Sequence, residues 1–283
     1  MIIYEPPTPV EGAPNLTKGK SVFDVAYNYN GDTLITCPYP RDRDLVISML
    51  SKVHDPRYVT SIFNGICANG YGLDNPKVND HSAHSCLILR DAVLVARHAA
   101  KIGDVVFAPV SGFHHSGYAY GGGYCTFNGL VMAAEAFKYS NGRTASVLII
   151  DGDGHFGDGT ADLIAHGSRH WLRQCSLDKG TVGGDSLRSL RLTREALLSK
   201  NWDLVLYQAG ADSHIDDPYM SGYLNDEEWK ARDEIVFGHC AKNKIPCVFN
   251  LAGGYNGSKT ISLHTSTVST ARQVYGEPKR CHL

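Results

Sequence analysis

The sequence lacks the features that would point to a membrane, a nucleic acid or a secreted scaffold. No apolar run approaches the about 20 residues that a membrane-spanning helix needs. The net charge is −2, and no run of lysine or arginine is available to neutralise phosphates. The first segment, MIIYEPPTPVEG, has neither the basic start nor the apolar stretch of a signal peptide. We therefore expect a soluble, cytoplasmic protein with no membrane and no nucleic-acid partner.

Cysteine is present, but never as a CxxC pair. Several of the eight cysteines lie in apolar segments such as HSCLIL and IPCVFNL. This pattern favours free buried thiols in a reducing compartment over a disulfide framework or a zinc–thiolate site. The eight are Cys37, Cys67, Cys86, Cys125, Cys175, Cys240, Cys247 and Cys281.

Short apolar runs alternate with helix-like segments along the chain. Five runs rich in Val, Ile, Leu or aromatic residues predict buried strands at 1–5, 104–110, 146–151, 203–209 and 246–252. Segments 82–103, 128–142 and 225–243 predict helices, the first with Ser82 as its N-cap. This alternation predicts an α/β fold whose central, mostly parallel sheet is flanked by helices on both faces. We expect a single domain over 1–283, with functional residues at the carboxyl ends of the strands.

The segment VLIIDGDGHFGDGT places three aspartates and a histidine directly behind a buried run. Asp151, Asp153 and His155 are spaced two apart, so in extended backbone all three face the same way. Without a cation, two such carboxylates beside a buried strand would repel each other and be poorly solvated. A divalent ion such as zinc favours this set of nitrogen and oxygen donors. An Asp-Gly turn with no ligand role is the alternative, so the metal hypothesis needs a third ligand from elsewhere.

A third ligand is available in DLVLYQAGADSHIDDP, where an apolar strand and a glycine precede Asp212. Two strand ends of a parallel sheet can lie side by side although they are distant in sequence. Asp153, His155 and Asp212 would then hold one ion and leave a position for water, as catalytic zinc sites do. We prefer Asp212 because it follows the small Gly-Ala turn immediately, whereas its competitors are expected to face solvent. These competitors are His214, Asp216 and Asp217.

Two further strand ends carry side chains that suit amide hydrolysis. In SGFHHSGYAYGGGYCTFNG, the adjacent His114 and His115 could deprotonate a water and protonate a leaving amine. A buried imidazole is often oriented by a carboxylate, which Asp151 or Asp158 could supply. In NLAGGYN, the phenol of Tyr255 could polarise a substrate carbonyl. The alternatives are a structural histidine at position 114 and a packing residue at position 255.

Together these motifs resemble the histone deacetylase family, zinc amidohydrolases with an arginase-like fold, and in particular its short bacterial members. The resemblance extends from HDPRYV at 54–59 through GGYN at 253–256, and the motifs follow the family order. It implies one zinc ion per chain, held by Asp153, His155 and Asp212.

The same resemblance implies a role for each remaining polar residue of the site. His115 would be the main general base and acid, and His114 its electrostatic partner. Asp151 and Asp158 would orient these two rings. Tyr255 would polarise the carbonyl of the substrate.

A channel and a second ion are also implied by the resemblance. Gly123 and Tyr124 would line the channel for the acyl-lysine side chain, with Tyr124 in place of the usual phenylalanine. Family members hold a monovalent cation near the zinc, and K⁺ is expected here as a structural ion. Its site would use Asp151 and the backbone around Asp153 and His155, and Ser176 and Leu177 would complete it.

The departures from the family pattern affect the expected substrate and leave every ligand in place. They are Phe156 after the metal histidine, Ala211 in AGAD, Ala252 before GGY, and SGFHH in place of PGHH. The expected substrate is a small acylated amine, such as an acetylpolyamine, or an acyl-lysine peptide. One alternative is a two-manganese ureohydrolase of the arginase type, although His214 stands where that enzyme would need another carboxylate. The other alternative is a non-catalytic acyl-amine binding protein. The sequence leaves a homo-oligomer open.

Overall fold

The computed structural model describes residues 1–11, 16–28, 31–142 and 144–276. The strands within these residues form one seven-stranded sheet. They are β1 Ile2–Tyr4, β2 Thr33–Ile35, β3 Val106–Ala108, β4 Val147–Asp151, β5 Leu172–Ser176, β6 Leu204–Ala209 and β7 Cys247–Leu251. Their order is β2-β1-β3-β7-β6-β4-β5, and every neighbouring pair is parallel. The predicted α/β class is confirmed, with a sheet that is parallel throughout.

All five apolar runs form strands, and the two strands that the sequence did not predict lie at the sheet edges. β5 reads LRQCS, and three of its five residues are partly or fully exposed. β2 has three residues, none of them buried. Because an edge strand need not be apolar on both faces, neither segment carries the continuous hydrophobic signal of a central strand.

Within the described part of the chain, ten α-helices cover both faces of the sheet. They are α1 Lys18–Ala26, α2 Arg43–Leu50, α3 Pro56–Phe63, α4 Pro76–Lys101, α5 Gly129–Asn141, α6 Asp158–His166, α7 Lys179–Val182, α8 Ser186–Leu198, α9 Asp226–Asn243 and α10 Gly257–Gly276. Alternate residues of each central strand belong to opposite cores. In β4, Val147 and Ile149 join the cluster with α4 and α5, while Leu148 and Ile150 join the one with α8 and α9. This alternation is what strand geometry requires of a sheet covered on both sides.

The helix predictions are correct in place and differ in one boundary. α4 begins at Pro76 rather than near Ser82, and the side chain of Asn75 accepts a hydrogen bond from the N–H of Lys77. An Asn N-cap followed by Pro at the first helical position is a strong start signal, and it lies upstream of the predicted one. α5 and α9 begin where expected, after Asn128 and Asn225.

The structure also bears on cysteine and on membrane insertion. Seven cysteines lie in the described residues and all are free thiols, as predicted, although only four of the seven are fully buried. Cys281 lies outside the described residues. Over those same residues, none of the helices combines the length and the apolar character that crossing a bilayer would take.

Four neighbouring central strands end at the same edge of the sheet. β3, β7, β6 and β4 lie side by side, with Ala108 opposite Asn250, and Gln208 opposite both Asn250 and Asp151. Because the strands are parallel, the loops that follow them all emerge at this edge. These are the four loops in which the sequence predicts polar chemistry.

Candidate active site

Two of these loops bring a histidine and two aspartates together. Asp153 and His155 lie in the loop after β4, and Asp212 lies in the 3₁₀ turn after β6. One potential ligand atom from each lies within 4.8 Å of the other two. Nδ1 of His155 is 2.8 Å from Oδ2 of Asp212 and 3.2 Å from Oδ1 of Asp153. The structure therefore places the three predicted ligands around one point.

The protonation of this cluster reflects two buried carboxylates at close range. Burial and the charge of Asp153 raise the pKa of Asp212 to about 7. Burial opposes ionisation of Asp153 as well, but His114 and the hydrogen bonds from His155 hold its pKa well below the ordinary value. Hydrogen bonds to both carboxylates raise the pKa of His155 to about 10. Two buried carboxylates and one imidazole are a donor set that fits a divalent cation such as zinc.

Backbone amides hold the two carboxylates in place. The N–H of Gly154 donates to Oδ1 of Asp212 over 2.9 Å. The N–H of Gly253, in the loop after β7, donates to Oδ2 of Asp153 over 2.8 Å. The cluster is thus tied to three strand ends, which limits how far the carboxylates can separate.

The two adjacent histidines have separate carboxylate partners. Nδ1 of His114 is 3.0 Å from Oδ2 of Asp151, and Nδ1 of His115 is 2.6 Å from Oδ1 of Asp158. Asp151 is fully buried and also accepts a hydrogen bond from Nε2 of Gln208 over 2.9 Å. Each ring has its Nδ1 occupied, which leaves Nε2 as the nitrogen available for proton transfer.

The environments of the two rings shift their pKa values in opposite directions. Burial favours the neutral form of His114, but Asp153 and Asp151 outweigh it and raise the pKa to about 9. Burial and the neighbouring His114 lower the pKa of His115. His115 is therefore the neutral member of the pair near neutral pH, as a general base must be.

Tyr255 lies in the loop that follows β7 and lines the same pocket as Asp153 and His114. Its N–H donates to Oδ2 of Asp217 over 3.0 Å, and its ring packs edge-on against Tyr219 with 4.6 Å between centroids. Burial raises the pKa of its phenol, so the hydroxyl keeps its proton and can act as a donor. The loop bearing Asp217 thus fixes where this donor lies.

The prediction that the competing residues after Asp212 face solvent is wrong for two of them. His214 is 2% exposed and Asp217 is 6% exposed. Asp217 is buried because its carboxylate accepts N–H groups from Tyr219 and Tyr255. Asp216 is exposed, as predicted, with 52% of its side-chain surface accessible.

A narrow pocket opens beside the cluster. Asp153, His114 and Tyr255 contribute to its wall, together with the predicted channel residues Gly123 and Tyr124. Gly123 adopts a φ of 51°, and a Cβ at this position would lie 2.5 Å from Cδ2 of His115. The loop can approach the histidine this closely because the residue is glycine.

The residues predicted for a monovalent cation also lie together. Asp151 and Ser176 are register partners in β4 and β5, and the N–H of Leu177 donates to the carbonyl of Asp151 over 2.8 Å. Oγ of Ser176 is buried and has no hydrogen-bond partner among the described residues. A buried oxygen in this state matches an oxygen-liganded cation.

Three polar residues of this region were not predicted from the sequence. Gln208 is a polar residue within the apolar run LVLYQA, and that position was a usable signal. Lys18 lines the pocket and its ammonium donates to the carbonyl of Ala252, but its flanking sequence carries no sign of this. Arg232 is fully buried behind the cluster, although it lies on a helix with a charged sequence.

Comparisons with known proteins show which family the chain is similar to. The model of the histone deacetylase domain matches residues 30–172, half of the chain. An uncharacterised protein of Picosynechococcus sp. is 28% identical over 250 residues, covering 80% of this chain and 82% of that protein.

Two plant proteins are similar over part of their length. Histone deacetylase 2 of Arabidopsis thaliana is 28% identical over 184 residues, or 57% of this chain and 47% of that protein. Histone deacetylase 10, chloroplastic, of Oryza sativa subsp. japonica is 28% identical over 231 residues, or 70% of this chain and 50% of that protein. The chain thus spans about half the length of both plant relatives.

Proposed function

Because the chain belongs to the histone deacetylase family, we propose that it is a zinc-dependent deacylase acting as one catalytic domain. It would hydrolyse the amide bond of an acylated amine, such as acetyl-lysine or an acetylpolyamine. The main support is the convergence of Asp153, His155 and Asp212 within 4.8 Å, next to a pocket that His114 and Tyr255 help to line. Membership of the family supports a deacetylase-type hydrolase. The metal, the substrate and the role of each residue are our proposal.

The chain's own residues account for how the ions would be held. Asp153, His155 and Asp212 would hold one zinc ion, which supplies a Lewis acid and an acidified water when bound. The buried Oγ of Ser176, with Asp151 and Leu177, would contribute to a structural K⁺ site. Both assignments rest on ligand atoms that these residues already present.

The proposed reaction proceeds by addition and then elimination. Water adds to the acyl carbon while Nε2 of neutral His115 accepts its proton, and the hydroxyl of Tyr255 donates to the carbonyl oxygen. The carbon–nitrogen bond then breaks, the amine leaves with a proton returned from the histidine, and the acyl group leaves as a carboxylic acid. Positively charged His114 would stabilise negative charge on the reacting oxygens.

The pH dependence of the reaction should identify the base. Since the pKa of His115 is lowered from 6.5, its ring stays neutral as the pH falls to that value. We therefore expect kcat/KM to hold down to about pH 6.5 and to decline at lower pH, in a pH profile of the zinc-loaded protein.

Asp158→Asn sharpens this prediction. The hydrogen bond that His115 donates to Asp158, and the charge of that carboxylate, both raise the pKa of His115. A neutral amide in its place should therefore move the acid limb to lower pH. The plateau should also fall by about tenfold because a neutral amide holds the ring less firmly than a carboxylate does. Asp162→Asn is the matched control, since Asp162 accepts the N–H of Tyr118 instead. An acid limb that moved to higher pH in the Asp158 variant would contradict the assignment.

The substrate class can be tested directly. Zinc-loaded protein is incubated with acetyl-lysine peptides, acetylpolyamines and longer acyl-lysines, and the released acid is measured. We expect release from at least one class. Binding without release from any of them would favour the non-catalytic acyl-amine binding protein. Two manganese ions per chain, found by metal analysis, would favour the ureohydrolase.

A further inference from the structure

Arg232 of α9 is buried directly behind the cluster of Asp153, His155 and Asp212. Its side chain is 0% exposed. Its guanidinium carbon lies 3.9 Å from the centroid of the Trp229 ring and 5.6 Å from the centroid of the Tyr207 ring. A buried guanidinium is costly unless its N–H groups are hydrogen-bonded. The location of its acceptors therefore indicates what the side chain is for.

One nitrogen of Arg232 connects the two loops that carry the predicted ligands. Nη1 donates to the carbonyl of Gly152 over 3.0 Å and to Oγ of Ser213 over 2.9 Å. Gly152 directly precedes Asp153, and Ser213 directly follows Asp212. The same nitrogen thus holds a neighbour of each carboxylate.

The glycine at position 152 leaves room for the guanidinium next to the loop that follows β4. A Cβ at Gly152 would lie 2.9 Å from Nη1 of Arg232, closer than side-chain carbons normally approach. Glycine at this position lets the guanidinium reach the carbonyl.

The guanidinium is also held from behind. Nη2 lies 3.5 Å from Oδ1 of Asp233, which accepts the hydroxyl of Tyr207. The other oxygen of Asp233 accepts Oγ1 of Thr267 over 2.6 Å. With β6, α9 and α10 all fixing it, the side chain cannot follow the loops if they move apart.

We propose that Arg232 is a positioning residue that sets the separation of Asp153 and Asp212 and thereby the zinc affinity of the site. This inference rests on the proposed function, because it assumes that the two carboxylates bind the metal. Residues that orient metal ligands typically change affinity by about 10–100-fold when they are removed.

The test measures zinc affinity separately from activity. Arg232→Met keeps an unbranched apolar chain but removes the donors, and Arg232→Lys keeps the charge. The matched control is Val236→Ala, which truncates another fully buried residue of α9 that packs in the core away from the loops. For each protein, the zinc Kd is measured by competition with a chelator, and the stability of the metal-free form by denaturant unfolding.

We expect Arg232→Met to weaken zinc binding about 10–100-fold, and Arg232→Lys to recover part of that loss. Val236→Ala should lower the unfolding midpoint but leave the zinc Kd within about twofold of wild type, because it lies away from both loops. If Arg232→Met does not fold, Arg232→Lys decides the question. Zinc binding that is weaker in Arg232→Lys than in Val236→Ala would then support the inference.

If Arg232→Met folds and binds zinc with the same Kd as Val236→Ala, the inference is overturned and the proposed function stays intact. If only Arg232→Lys folds, the same result in that variant overturns it. A wild-type protein that binds no zinc would refute the proposed function, and the inference with it. The two failures are therefore distinguishable within one set of measurements.

Discussion

Asp212→Asn is expected to lower zinc affinity by more than the about 100-fold that loss of a ligand-orienting contact can cost, and to remove hydrolysis with it. The asparagine keeps the size of the side chain and the acceptor for the N–H of Gly154, which lies 2.9 Å from Oδ1. It removes the negative charge that a divalent cation requires from this donor. Zinc Kd and released carboxylic acid, measured on the same preparation, check both parts.

The same substitution should stabilise the metal-free protein. Burial and Asp153 raise the pKa of Asp212 to about 7, so ionisation of this carboxyl at higher pH costs folding free energy. Asparagine carries no charge, so its advantage over wild type should grow as the pH rises from 3.8 to about 7 and stay constant above that. Weaker metal binding combined with a more stable metal-free fold is the signature of a residue kept for function.

Asp216→Asn is the matched control for both measurements. Asp216 lies in the same loop, is 52% exposed, and takes no part in the cluster of three ligands. Its substitution should leave the zinc Kd and the turnover unchanged. An Asp212→Asn variant that binds zinc as tightly as wild type would remove Asp212 from the ligand set.

Tyr255→Phe is expected to reduce kcat by about 10²–10³-fold while zinc remains bound, as removal of one transition-state donor does elsewhere. Phenylalanine keeps the ring that packs at 4.6 Å against Tyr219, and the backbone N–H still reaches Asp217. The pocket should therefore keep its shape and lose only the hydroxyl. Steady-state kinetics together with metal analysis of the variant separate the two effects.

Tyr219→Phe serves as the control for the tyrosine prediction. Tyr219 packs on Tyr255 and is 57% exposed. Its substitution therefore removes a hydroxyl from the same pair of aromatic residues but leaves the proposed donor in place. We expect its kcat to stay within about tenfold of wild type. Equal kcat values for Tyr255→Phe and wild type would refute the role of the phenol.

The fold was predictable where burial produces a local pattern of apolar residues. The central strands are buried on both faces and are read directly as apolar runs, whereas β5, with the exposed Arg173, is not. The start of α4 was misplaced because Ser82 was taken as the N-cap, whereas Asn75 and Pro76 begin the helix. Edge strands and helix boundaries depend on a few residues whose packing cannot be read from the local sequence.

The candidate site was predictable where chemistry and spacing coincide. The two-residue spacing of Asp153 and His155, and the position of Asp212 after a strand, were sufficient to bring them together on a parallel sheet. Arg232 was not predictable, since its contact with Gly152 spans 80 residues and follows from how α9 packs. Asp217 was assigned to solvent because its burial depends on amides that the loop of Tyr255 supplies.

Titration of zinc into the metal-free protein, with release of carboxylic acid from an acyl-amine substrate as the readout, tests the central claim most directly. If Asp153, His155 and Asp212 hold one ion that supports hydrolysis, the rate should rise in proportion to added zinc and stop rising at about one equivalent. A rate that requires a second equivalent, or no hydrolysis when one ion is bound, would contradict it.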